Sequence, residues 1–189
     1  MNLSAELDAW SNRPELSSKH NTFIEIVEGV LNARLHERYL EAMVTYSIIP
    51  GAGQFALLDS AIELLGMRIG DKEIQFRSLD EVMDARASGG TIIACMAGRN
   101  VVLSALSPPQ AEVRQKTKIT TVVGGGTNWV LTNFPHVYLF GCLVELFDYL
   151  RDAEQTAHYK TRFEEAIGNV NSIMTNKSIQ QFARARYVR

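Results

Sequence analysis

Apolar and polar positions along the chain run first with a helical period, then with a period close to two, and then with a helical period again. Leu7 and Trp10, three apart behind Ser4, predict a short helix over Ser4–Trp10 with Ser4 as its N-cap. After the polar stretch SNRPELSSKHN, Thr22 and Glu25 have capping-box spacing. Phe23, Ile26, Val27, Val30, Leu31 and Leu35 then recur at three and four, which predicts a helix from about Asn21 to Arg38 with one apolar stripe.

From Ala42 the pattern alternates. Ala42, Val44, Tyr46 and Ile48 share one face, and Pro50-Gly51-Ala52-Gly53 closes the strand. Gly70-Asp71 between Ala61–Ile69 and Lys72–Arg77 suits a two-residue hairpin. Ser78 and Glu81 have capping-box spacing for a helix to about Ala87. Strands over Thr91–Met96 and Val101–Leu106 flank the turn at 97–100, and a last strand over Lys118–Val123 ends at Gly124-Gly125-Gly126.

Pro135 fits a helix first turn, because its missing N–H would have no partner there, so a helix is expected over about Pro135–Arg151, apolar nearly all round. A second follows over Asp152–Met174 with Phe163, Ala166, Ile167, Val170, Ile173 and Met174 on one stripe, and the short connection makes the two antiparallel. The expected fold class is α+β: a helical bundle formed by residues 1–40 and 127–174, an inserted small antiparallel β unit at 41–126, and an extended basic C-terminal arm at 175–189.

Composition narrows the function. Hydrophobic residues make up 46% of the chain and charged residues 21%, an ordinary globular balance. Nineteen Lys and Arg against 21 Asp and Glu give a net charge of −2, which excludes a broad basic face for gripping nucleic acid. Four of those cations and none of the acids fall in 175–189, leaving the remainder at −6. Cys95 and Cys142 stand far apart in apolar surroundings, as buried free thiols do in a reducing compartment. The opening MNLSAELDAW lacks the pattern of a secretory signal, and Val137–Leu150, broken by Glu145 and Asp148, is too short and too charged to cross a bilayer.

Motifs for chemistry are missing. Gly124-Gly125-Gly126-Thr127 has neither the Gly-Lys-Ser/Thr ending of a P-loop nor GxGxxG, so a strand-to-helix hinge is the better reading. His20, His36, His136 and His158 pair with no acid or cysteine at metal-ligand spacing. No GxSxG surrounds Ser104 or Ser107, and Glu164-Glu165 and Asp80 with Asp84 sit on expected solvent faces. No catalytic residue, metal site or cofactor is expected. The C-terminal segment has two readings: a solvating end, or a segment whose Ile179, Phe182 and Tyr187 anchor it to a partner.

Thr127–Ile167, TNWVLTNFPHVYLFGCLVELFDYLRDAEQTAHYKTRFEEAI, resembles the C-terminal signature of the head-to-tail adaptor (connector) proteins of short-tailed bacteriophages. In that family Asn-Trp and Asn-x-Pro lead into an apolar helix with Tyr-Leu-aromatic-Gly, then an acidic turn and a second helix. The matching residues are Asn128, Trp129, Leu131, Asn133, Pro135, Tyr138, Leu139, Phe140, Gly141, Leu150 and Asp152. Upstream, Leu7, Trp10, Asn12, Arg13 and Leu16 resemble the family's opening helix and turn, and Ile26, Glu28, Leu35 and Arg38 its second helix; the β region matches in layout only, with Pro50-Gly51 after its first strand. Phe134-Pro135-His136 and the triple glycine depart from the family's usual residues.

The resemblance implies a non-enzymatic virion component at the head–tail junction, assembled in the host cytoplasm. It would form a ring of twelve copies between the portal protein and the tail or nozzle protein, through which genomic DNA passes without specific binding. It also implies that Asn128, Trp129, Asn133, Pro135, Tyr138 and Gly141 are a structural signature. Lys177, Ile179, Phe182, Arg184, Arg186, Tyr187 and Arg189 would then dock on the portal. The alternatives are an adaptor with added cell-wall hydrolase activity, or a monomeric α+β ligand-binding module.

Overall fold

A computed structural model describes residues 2–36, 40–48, 51–106 and 110–186, the side chains of 174–186 lying outside the description. The chain divides into two compact units, Met1–Tyr39 with Ile119–Arg189, and Leu40–Lys118. Among the described residues the first unit holds helices and no strand, the second holds both sheets and one helix, and the mixture is α+β.

In the first unit, α1 (Leu3–Ser11) is capped by Asn2, whose side chain accepts the Ala5 N–H at 3.3 Å, rather than by Ser4. Leu3 and Leu7 are buried whereas Trp10 is exposed. The polar stretch expected to be a loop holds a 3-10 helix, Pro14–Lys19, which runs directly into α2 (His20–Arg34). Lys19 is already helical there, so the expected Thr22–Glu25 capping box has no helix start to cap. α2 stops at Arg34 with Leu35 extended; the expected end at Arg38 lies outside the described residues. Its buried face carries Phe23, Ile24, Val27, Glu28 and Leu31, and Ile26, assigned to the apolar stripe from sequence, is 44% exposed.

The C-terminal part of this unit holds α4 (Trp129–Asn133), α5 (Pro135–Tyr149) and α6 (Ala153–Arg186). Pro135 occupies the first turn of α5, which packs against α1, α2, α4 and α6. Arg151 turns the chain at φ 59°, and the Asp152 carboxylate accepts the Gln155 N–H at 3.1 Å to open α6. α6 does not end at Met174: it continues to Arg186, 34 residues in all, which corrects the extended arm. Residues 175–186 contain no Gly or Pro and several good helix formers, so each added residue extends an existing helix at little cost.

In the second unit the described strands are β1 (Glu41–Ser47), β2 (Gln54–Ala56), β3 (Ala61–Ile69), β4 (Lys72–Glu73), β5 (Gln75–Phe76), β6 (Ile93–Ala97), β7 (Asn100–Leu103) and β8 (Gln110–Thr117), with α3 (Leu79–Ser88) between β5 and β6. They form two four-stranded sheets, ordered β1-β8-β3-β4 and β2-β7-β6-β5. The expected turn at Gly70-Asp71 is present, pairing Ile69 with Lys72, and α3 has the full Ser78–Glu81 capping box.

Three expectations about the β unit need correction. Lys72–Arg77 is not one strand: β4 stays with β3, while β5 crosses to the other sheet and pairs with β6 in parallel, buried Ile74 marking the switch. The unit is therefore not purely antiparallel. The last strand is Gln110–Thr117 rather than Lys118–Val123, and it is the central partner of both β1 and β3. Both sheets contribute to one core, including Tyr46, Phe55, Met67, Ala94, Val101, Leu103, Ala111 and Val113. Tyr46 stacks on Phe55 at 4.8 Å and donates its hydroxyl to Gln115 at 2.8 Å.

Candidate functional site

The apolar segment expected as a strand, 119–122, is held instead by side chains of the first unit. Asn32 on α2 accepts the Ile119 N–H at 2.8 Å, and Glu28, one turn earlier, accepts the Val122 N–H at 2.7 Å. Asn128 works in two directions. Its oxygen caps α4 by accepting the Leu131 N–H at 2.9 Å; its amide nitrogen donates to the Thr120 carbonyl and to the Tyr138 hydroxyl, each at 2.7 Å. Tyr138 in turn donates to Glu28 at 3.3 Å. These bonds give backbone groups of buried Ile119 and Val122, and of Thr120 between them, the partners that a sheet would otherwise supply.

Tyr138 is fully buried, and burial pushes its phenol well above the ordinary value. The hydrogen bond from Asn128 pulls the other way, while the negative Glu28 adds to the rise. The phenol therefore stays protonated and remains a donor to the carboxylate. Cys142, one helical turn further along α5, has its thiol pushed up by burial as well, and both cysteines are buried and free.

The signature residues divide by position. Asn128 and Tyr138 form this buried clamp; Gly141 lies where α5 meets α2 and α6; Trp129, Asn133 and Pro135 shape the α4–α5 corner. At that corner Asn133 donates to the Trp129 carbonyl at 2.8 Å, and the half-buried Trp129 ring meets Phe134 edge-on at 6.4 Å. The triple glycine makes a tight turn. Gly124 and Gly125 have φ of 72° and 89°, and a Cβ on Gly126 would come within 2.7 Å of the Thr121 carbonyl.

α2 and α6 are tied through Arg34, which meets α6 at two levels. Arg34 grips Glu164 with both guanidinium nitrogens, one bond at 2.6 Å, and Asn171 donates to the Arg34 carbonyl at 3.0 Å. The hydrogen bonds from Arg34 hold the Glu164 carboxyl below its usual range, and Arg34 is raised reciprocally. Beyond this tie α6 carries Lys177, Ile179, Phe182, Arg184 and Arg186 on helical backbone, their side chains outside the description; Tyr187 and Arg189 lie outside the described residues altogether.

Sequence reasoning missed Asn32, Arg34 and Asn171, and matched Glu28 only as part of a helix pattern. An acid between Val27 and Leu31 on the buried side of α2 was the available signal. It also missed an aromatic row: Phe140 meets exposed Trp10 edge-on at 6.2 Å, with Arg162 5.7 Å above its ring, and Phe147 stacks on Tyr159 at 5.4 Å.

Among the described residues, no cluster of His, Cys, Asp and Glu could hold a metal ion, and no helix is long and apolar enough to cross a membrane. Comparison with curated proteins gives no match. The family model described as SU10 adaptor protein matches residues 2–187, spanning the clamp, both units and the whole of α6. The chain thus belongs to the SU10 adaptor protein family of phage head-to-tail adaptors, structural proteins of the virion.

Proposed function

We propose that this adaptor forms a ring between the portal and the tail or nozzle protein, twelve copies lining the channel through which DNA leaves, with residues 175–189 docking on the portal. The family match over residues 2–187 carries the reading. Three features support it. α6 runs on for 15 residues past its tie to α2 at Asn171, a stretch with three cations and no acid. The exposed Trp10 and Tyr149, at 45% and 57%, and the aromatic row beside Trp10 offer apolar surface for neighbouring copies. An acidic remainder lets DNA slide past without sticking to phosphate.

Deletion of Thr175–Arg189 tests the docking assignment. The truncated chain should keep the circular dichroism of its remaining residues and lose attachment to portal protein in a pull-down. Unchanged portal affinity would overturn it. Mass photometry of wild-type chain with portal should show a complex carrying twelve adaptor copies, and a one-to-one complex per portal ring would rule the ring out.

A further inference from the structure

Two exposed faces of the chain have complementary chemistry. The first is on α3, which meets its own unit through buried Val82 and half-buried Ala85 and Arg86. Leu79 and Met83, four positions apart and so neighbours on one side of the helix, are 50% and 49% exposed. Asp80 and Asp84, one position beyond each, are exposed too and form no ion pair among the described residues. This face is aliphatic with an acidic margin.

The second is the aromatic row of the helical unit. Trp10 meets Phe140 at 6.2 Å, Phe140 meets Tyr159 at 6.3 Å, and Tyr159 stacks on Phe147 at 5.4 Å. Trp10 is exposed and the other three rings are half-buried. The guanidinium of exposed Arg162 lies 5.7 Å above Phe140, and it has no carboxylate partner among the described residues. This face is aromatic with a free cation.

Spacing and charge fit the two to each other. Four residues of helix rise about 6 Å, close to the step from one ring to the next, so Leu79 and Met83 can rest on successive rings. A methionine sulfur is favourable against an aromatic ring. Asp84 then supplies the carboxylate that Arg162 lacks. Copies related by rotation about a ring axis present different patches to each other, so a chain that closes into a ring carries both halves of the contact.

We propose that α3 of one copy lies across the aromatic row of the next, with Leu79 and Met83 on the rings and Asp84 paired with Arg162. The proposal rests on the ring reading and deepens it by naming both halves of the contact between neighbouring copies.

Arg162→Glu sets two acids against each other across this contact, and Asp84→Arg sets two cations. Both positions are exposed, so each variant should keep the melting temperature of wild type. Mass photometry with portal protein of the same phage reads assembly. Each variant alone should need about tenfold more chain than wild type to fill the portal ring, because like charges meet at every contact. An equimolar mixture of the two should fill it within about threefold of the wild-type concentration, since copies that alternate around the ring restore an opposite pair at every contact. Single variants that fill the portal as wild type does, or a mixture no better than its components, would overturn the proposal and leave the adaptor reading standing. Wild-type chain that never fills the portal removes the ring reading and this inference with it.

Discussion

Gly141 on α5 faces Val27 on α2 so closely that a methyl group at Gly141 would lie 2.9 Å from both γ carbons of Val27, and equally near the Phe163 ring on α6. No side chain fits there unless Val27 or Phe163, or the helices that carry them, give way. Gly141→Ala should destabilise the protein by about 1–3 kcal/mol through overpacking, measured by urea unfolding. Gly29, in the middle of α2, gives the control. Nothing lies within 4 Å of a Cβ there, so Gly29→Ala should stabilise by up to about 1 kcal/mol from helix propensity alone.

Asn128→Ala removes a helix cap and both anchors of its amide nitrogen, leaving Thr120 without its side-chain donor. A loss of about 2–4 kcal/mol is expected. Tyr138→Phe, which keeps the ring, should cost less, about 1–2 kcal/mol. Equal effects from the two would show that the clamp is not centred on Asn128.

Acid should loosen the tie between α2 and α6. Glu164 titrates below its ordinary value in the folded state because of its hydrogen bonds to Arg34, so its contribution is present at neutral pH and is lost as pH falls through that lowered value. Both side chains are over 40% exposed, which limits the effect to under about 1 kcal/mol. Glu145 has the opposite sign: burial, then the nearby Asp148, raises its carboxyl. Glu145→Gln should therefore raise the melting temperature at neutral pH, the gain shrinking in acid where the native carboxyl is protonated. Melting curves of Glu164→Gln and Glu145→Gln across pH separate the contributions.

His20 is 1% exposed, neither ring nitrogen makes a hydrogen bond, and Nε2 lies 3.6 Å from the Asp8 carboxylate. A buried polar ring without hydrogen bonds contributes little beyond its volume. His20→Phe should leave stability within about 1 kcal/mol of wild type. A loss above about 3 kcal/mol would mean that the contact with Asp8 carries the α1–α2 corner.

Local signals were legible in the sequence. Ser78 and Glu81 announce the cap of α3, Gly70-Asp71 announces its hairpin, and Pro135 the start of α5, because each depends on neighbours a few residues away. β8 was not legible. QAEVRQKT carries only two apolar residues and becomes a central strand through pairing with β1 and β3, both distant in sequence. The more strand-like 118–123 loses that role because Glu28, Asn32 and Asn128 satisfy its backbone, and the Glu28 to Val122 bond spans 94 positions. At the site, Asn128, Tyr138 and Gly141 were found through their pattern, while their chemistry required the packing of three helices.

α6 carries a mechanical consequence. Over its 34 residues the helix extends about 50 Å as one rod, from the turn at Asp152 to Arg186. Its far end is in regular backbone before any partner arrives, so attachment forfeits little chain entropy and the strut is preorganised. A push or twist applied at the tip has no hinge in which to dissipate. It reaches the Arg34–Glu164 tie and the α5 interface directly, so a partner gripping the end of this helix also has leverage on the helical unit at its base.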